Sequence, residues 1–218
     1  MRLLLTSAGL VNDSIVKAFN ELVDLPKNQI HIAFIPTAAN VEEGDKGWLI
    51  DDLNNLKKQA YGCIDIVDIS AMSQAVWKPR LESANVLFFG GGNTAHLMYC
   101  LKESGLDKLL PELLKTRVYA GISAGSCVTG KTINNPAQNL FGEKYEVDIR
   151  DGLGLVDFQF VPHLNSSTFN KIRKELLAEE AKKMTETIYA ADDNTAISVV
   201  DDKIEIISEG ECLVFNKQ

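Results

Sequence analysis

Short apolar runs alternate with amphipathic stretches through the first half of the chain. Residues 3–8 read as a buried strand. Asn12-Asp13-Ser14 offers a helix cap, and Ile15, Val16, Phe19, Leu22 and Val23 follow at the spacing of one helical face. The pattern then predicts a strand over 29–37, ended by Pro36, a helix over 48–60 and a strand over 63–69. A short strand over 86–89 runs into Gly90-Gly91-Gly92, helices cover 96–101 and 106–114, and a strand over 118–122 stops at Ser123. Strands separated by helices imply β-α-β units, hence an α/β fold with a mostly parallel sheet and helices on both faces. The tail reads differently. After a helical stretch over 168–184, short strands at 188–191, 196–200, 204–207 and 213–215 are joined by Asp201-Asp202 and Glu209-Gly210. These are expected to be antiparallel hairpins added at a sheet edge. No repeat, low-complexity segment or linker interrupts the pattern, so residues 1–218 are expected to form a single domain.

Composition narrows the function classes. The 218 residues are 45% hydrophobic and 24% charged, with a formal net charge of −8. Without a basic field to recruit phosphates, neither a nucleic acid nor a membrane surface is an expected partner. No apolar stretch approaches the roughly 18 residues needed to span a bilayer. The apolar run Leu3-Leu4-Leu5 is broken at once by Thr6-Ser7-Ala8-Gly9, so no export signal is read there. Cys63, Cys100, Cys127 and Cys212 are too dispersed for a Cys-x-x-Cys pair. Free thiols in a reducing cytoplasm are expected, with no metal and no cofactor.

Two motifs carry chemistry. Gly121-Ile122-Ser123-Ala124-Gly125 follows an apolar strand and has the form G-x-S-x-G. A serine there sits on a tight strand-to-helix turn, and small neighbours let substrate approach its hydroxyl. The N–H of Ala124 would face a developing oxyanion, beside the positive end of a helix starting at Ser126. A glycine-rich turn with an exposed serine would give the same five residues. Phe88-Phe89-Gly90-Gly91-Gly92-Asn93-Thr94 is the second motif. Its glycines leave N–H groups open for the other half of an oxyanion hole. A phosphate cradle lacks support, because no Lys-Ser/Thr pair follows and the G-x-G-x-x-G spacing is absent. A turn capped by Asn93 or Thr94 is the plainer alternative.

A serine nucleophile needs a base, and there are three histidines. His31 lies within a strand and is expected to be packed. His96 lies on the helix after the glycine loop. His163 follows Phe160-Val161-Pro162 at the expected C-terminal end of a strand, the edge where parallel sheets hold their active sites. His163 is therefore preferred to His96 as the base.

FFGGGNTAHLMYCL, GISAGS and VPH, in this order, resemble peptidase E and its relative cyanophycinase. The resemblance runs from about Val86 to His163 and is weaker outside it. It implies a class I glutamine amidotransferase-like fold, with serine where amidotransferases carry cysteine. It further implies a Ser-His-acid relay, no metal and cytoplasmic hydrolysis of small peptides, and it is compatible with a homodimer. Carried over, Ser123 is the nucleophile and His163 the relay base. Gly91, Gly92 and Ala124 are the oxyanion donors, with Asn93 beside them facing substrate.

Two departures stand out. The relay aspartate of peptidase E falls about fifteen residues after the serine, and that count reaches Gln138 here. Cyanophycinase-like relatives use a glutamate slightly farther on, which points to Glu143, with Glu146 next. Peptidase E also holds an acidic substrate side chain with an arginine shortly after the histidine. Residues 164–171 contain none, and Arg173 lies beyond them. Only a weak preference for an acidic first residue is therefore expected. Two other readings stay open: a non-catalytic, ligand-binding module, and an esterase or amidase acting on non-peptide acyl groups.

Overall fold

The structure is a computed structural model that describes residues 1–141, 145 and 147–217. The chain runs β1 (Arg2–Thr6), α1 (Asp13–Val23), β2 (His31–Ile35), α2 (Gly47–Lys58), β3 (Cys63–Ile66), α3 (Gln74–Ser83) and β4 (Val86–Phe89). It continues with α4 (Thr94–Ser104), α5 (Leu106–Leu113), β5 (Val118–Ile122), the single turn α6 (Ala124–Cys127) and α7 (Pro136–Phe141). Then come β6 (Phe158–Val161), α8 (Lys174–Ala181), β7 (Thr187–Ala191), β8 (Thr195–Val200), β9 (Lys203–Ser208) and β10 (Cys212–Phe215).

Seven strands form the main sheet in the order β3-β2-β4-β5-β1-β8-β9. The first five are parallel, whereas β8 runs antiparallel to β1 and β9 antiparallel to β8. Alternation of side chains explains why the strands read as unbroken apolar runs: both faces are covered. Leu4, Ile32, Phe34, Val86, Phe88, Val118 and Ala120 point to one face and meet Ile15, Phe19 and Leu22 of α1 and Leu56 of α2. Leu3, Leu5, Ala33, Ile35, Leu87, Phe89 and Tyr119 point to the other and meet Trp77, Leu81, Leu97, Leu101 and Leu110 of α3, α4 and α5.

The tail departs from expectation. The β8–β9 hairpin does extend the main sheet, but β7 and β10 join β6 in a separate three-stranded sheet of order β10-β7-β6. Phe158, Phe160 and Tyr189 on one face of that sheet join the core cluster that also holds residues of α4 and α5, and its other face packs on Leu177 and Ala181 of α8. Within 168–184 only Lys174–Ala181 is helical. The helix α3 escaped the sequence reading because Pro79 lies inside it and its apolar face is narrow, with only Trp77 and Leu81 buried. His31 is exposed at the start of β2, where a packed residue was expected.

This topology gathers the candidate residues. The C-terminal ends of β1, β4 and β5 share one sheet edge. Because β8 is antiparallel, its N-terminal end lies there too, with Ala196 opposite Thr6.

Candidate active site

The chain reverses between β5 and α6 within one residue, and Ser123 carries the strain, with φ +47° and ψ −106°. Non-glycine residues adopt such a backbone only when their surroundings impose it, at about 1–3 kcal/mol. The imposing contacts are visible. Ser123 N–H donates to Thr6 O (3.0 Å), and Ser126 Oγ donates to the same carbonyl (2.8 Å). Tyr119 Oη donates to Gly125 O (2.5 Å). Both glycines of the motif are required by close approach: a Cβ on Gly125 would stand 2.2 Å from Phe89 O, and one on Gly121 would stand 2.6 Å from the carbonyl carbon of Gly125. With four residues, α6 is too short for a substantial dipole, so main-chain N–H groups are what this turn offers an anion.

Ser123 Oγ lies 3.0 Å from Nε2 of His163, the residue two past the end of β6. His163 Nδ1 lies 2.7 Å from Oδ1 of Asp193, in the turn between β7 and β8. His163 is itself held with φ +64°, and its ring stacks on Phe169 with centroids 4.2 Å apart and planes 6° from parallel. Burial works against the Asp193 carboxylate, but hydrogen bonds from His163, Ser7 and Ser166 and the charge of His163 outweigh it and hold the group below the usual carboxylate range. Asp193 is thus ionised at neutral pH and opposite the histidine. The sequence reading missed it by searching only the segment after the serine. Glu143, the acid expected there, lies outside the described residues, as does Glu146. Gln138 is on α7 and accompanies Asn93 along a neighbouring cleft.

Around Ser123 the glycine loop is close and partly open. A Cβ on Gly91 would stand 3.6 Å from Ser123 Cβ, so the two backbones adjoin. Gly92 has φ +129°, and a Cβ there would meet Ala38 O at 2.3 Å. Gly90 N–H donates to Ile35 O and Asn93 N–H to Ala38 O (both 2.9 Å), while the N–H groups of Gly91, Gly92 and Ala124 find no acceptor among the described residues. Asn93 therefore cannot serve as a main-chain oxyanion donor. Its side-chain oxygen caps His96 N–H, leaving its amide nitrogen for the cleft. Ala38 is held in turn by Thr37, Asn40 and Ser70, which all donate to Asp68. Burial opposes that carboxylate too, and these donors prevail and lower it.

The other two candidates are used elsewhere. His96 is buried against Cys100 and bonded through Nδ1 to Tyr145 Oη (2.7 Å), and burial lowers its proton affinity. Arg173 donates to the carbonyls of Ser166, Phe169 and Ile172, which closes the loop carrying Phe169. A cleft of about 590 Å³ borders the glycine loop, lined by Asn93, Asn134, Gln138, Tyr145 and Arg150 among others. Among the described residues no group of three or more His, Cys, Asp or Glu side chains is placed to hold a metal ion.

This arrangement can be set beside known proteins. The profile of peptidase family S51 matches residues 3–207. The chain belongs to peptidase family S51. The family supports a serine-type peptidase, and its relatives are named as peptidases. An uncharacterised peptidase of Listeria monocytogenes, Lmo0363, is 31% identical over 171 residues, covering 77% of this chain and 81% of that protein. A peptidase E of Nostoc sp. is 29% identical over 141 residues, 62% of this chain and 57% of that protein. A Listeria monocytogenes crystal structure, provisionally assigned to peptidase E, superposes with TM-score 0.80 at 27% identity over 96% of this chain and 98% of that one. The S51 fold is the class I glutamine amidotransferase-like architecture, and the seven-stranded sheet with its antiparallel C-terminal hairpin is its form here. No helix among the described residues is long and apolar enough to cross a membrane.

Proposed function

We propose that this S51 peptidase hydrolyses short peptides through an acyl-enzyme on Ser123, with His163 moving the proton and Asp193 fixing His163. The observation carrying this reading is the unbroken hydrogen-bonded line from Asp193 through His163 to Ser123, at 2.7 and 3.0 Å. An ionised carboxylate only accepts, so Nδ1 holds the ring proton and Nε2 is left to accept from the serine. Ser123 Oγ then adds to the scissile carbonyl as its proton passes to Nε2. The carbonyl electron pair moves onto oxygen, beside the N–H groups of Gly91 and Ala124. Collapse breaks the C–N bond, and His163 returns the proton to the departing amine. Water repeats the sequence and releases the acid.

Two features support small peptides as substrates. The neighbouring cleft is modest in volume and lined by side-chain amides, which match peptide N–H and C=O groups. Arg173 spends its donors on backbone carbonyls, and Arg150 at the cleft is paired with Asp148, so neither guanidinium is left free to enforce a strict demand for an acidic first residue. Among the described residues no disulfide joins the four cysteines, which suits a reducing cytoplasm. The test is a panel of dipeptides, tripeptides and simple esters, run beside a fluorophosphonate probe. Peptide cleavage with labelling at Ser123 is expected, with Asp-Xaa favoured by less than about tenfold. Cleavage of esters alone would remove the peptide assignment, and absence of labelling would remove the serine mechanism.

A further inference from the structure

We propose that Ser7 is a positioning residue, a fourth member of the relay that joins the backbone of His163 to the carboxylate of Asp193. The inference rests on the Ser123–His163–Asp193 reading and adds to it a residue from the opposite end of the chain.

Ser7 follows β1 and is fully buried. Its hydroxyl oxygen lies 2.8 Å from His163 N, 2.9 Å from Asp193 Oδ1 and 3.4 Å from His163 Nδ1. The chemistry of the three neighbours fixes the direction of every bond. A main-chain N–H only donates, so Ser7 Oγ accepts from His163. A carboxylate only accepts, so the single hydroxyl proton goes to Asp193. Nothing remains for Nδ1, whose own proton points to the same Oδ1 atom. That oxygen therefore receives two donors, one from the catalytic ring and one from Ser7. The serine is anchored as well, because its N–H reaches Thr195 O at the start of β8 (3.4 Å).

Two consequences follow. His163 has a left-handed backbone, φ +64°, which a non-glycine residue adopts only where contacts hold it. The Ser7 bond to its N–H is such a contact and sets where the ring starts. The second donor on Oδ1 prevents the half-exposed Asp193 from turning its carboxylate toward water. Ser7 touches no substrate in this arrangement. It acts through the orientation and charge of the His163–Asp193 pair.

The experiment measures the rate at which a fluorophosphonate labels Ser123, across acid to alkaline pH, in wild type, Ser7→Ala and Ser7→Thr. Loss of one hydrogen bond to a charged group predicts labelling about 10- to 100-fold slower in folded Ser7→Ala. Its acid limb should move to higher pH, since a carboxylate relieved of one donor holds the imidazolium proton more tightly. Ser7→Thr, which keeps the hydroxyl, should recover most of the rate. If Ser7→Ala does not fold, Ser7→Cys takes its place, because the thiol fills the space and donates only weakly. Labelling within about twofold of wild type with a superimposable pH profile would overturn the proposal. Wild-type protein that does not label at all would overturn the nucleophile assignment instead.

Discussion

Replacing Asp193 with asparagine removes one charge and leaves the shape. Oδ1 sits 2.7 Å from Nδ1, which puts the carboxylate and imidazolium charge centres about 4 Å apart in the state where His163 has taken the serine proton. At an effective dielectric of about 20 that attraction is worth roughly 4 kcal/mol, or about three powers of ten in rate. An asparagine that turned its NH₂ toward Nδ1 would do further harm. It would force the ring proton onto Nε2, which then could not accept from Ser123. Asp193→Asn should therefore lower kcat/KM for a cleaved peptide by about 10³- to 10⁴-fold with little change in KM. Glu143→Gln, made in parallel, should stay within a few-fold of wild type. The assay is steady-state hydrolysis, backed by the fluorophosphonate labelling rate so that binding and chemistry are separated. Asp193→Asn protein within about tenfold of wild type, with Glu143→Gln reduced by 10³ or more, would move the relay acid to Glu143 and refute the electrostatic reasoning.

Two further substitutions test the surroundings of the site through stability. Asp52, on α2 beside Gly9, has its pKa raised from 3.8 to about 7, by burial first and by the charge of Asp51 second. A carboxyl raised in the fold weakens it as pH climbs from the unfolded value to the folded one, by at most about 4 kcal/mol here, with no further change above. Asp52→Asn should accordingly melt higher than wild type at about pH 8 and match it near pH 4, and equal melting at both would refute the buried-carboxyl argument. Ser123→Gly should relieve the strained elbow while abolishing hydrolysis. Against the entropic cost of glycine, the net gain over Ser123→Ala should be about 1 kcal/mol, or roughly 2–4 °C in calorimetry. A lower melting point than Ser123→Ala would mean that the backbone at 123 is not strained.

The parts legible from sequence were those whose signal is local. A continuous apolar run such as Val118–Ile122 can be little other than a buried strand, and a G-x-S-x-G after it places Ser123. The Phe158–Val161 strand was also read correctly, but it lies in the three-stranded sheet rather than the parallel one whose edge was expected to hold His163. Asp193 was hidden because its place opposite His163 depends on pairing between distant segments. Once β8 is laid antiparallel against β1, the turn before β8 must fall at the edge that carries Ser123, and that turn holds Asp192-Asp193-Asn194. Nothing in the periodicity of residues 188–215 said which hairpin strand would leave for the second sheet. His31 was misjudged for a similar reason: alternation fixes which face a strand residue takes, not whether the strand's first residue reaches past its cover.

The antiparallel insertion of β8 beside β1 also sets when the Asp193–His163–Ser123 line can assemble. Ser7 precedes Asp193 by 186 residues, and β1 lacks its β8 neighbour until residues 195–200 pair with it. A growing chain can build the β4–β5 neighbourhood, the serine turn and the glycine loop early, since domains assemble from the N-terminus as they emerge. The Asp193–His163–Ser123 line waits for the closing hairpin, a contact of long sequence separation and so slow to form. On the proposed mechanism, a copy in which β8 has not paired would hold Ser123 without Asp193 opposite His163, and its hydrolysis should be correspondingly weak.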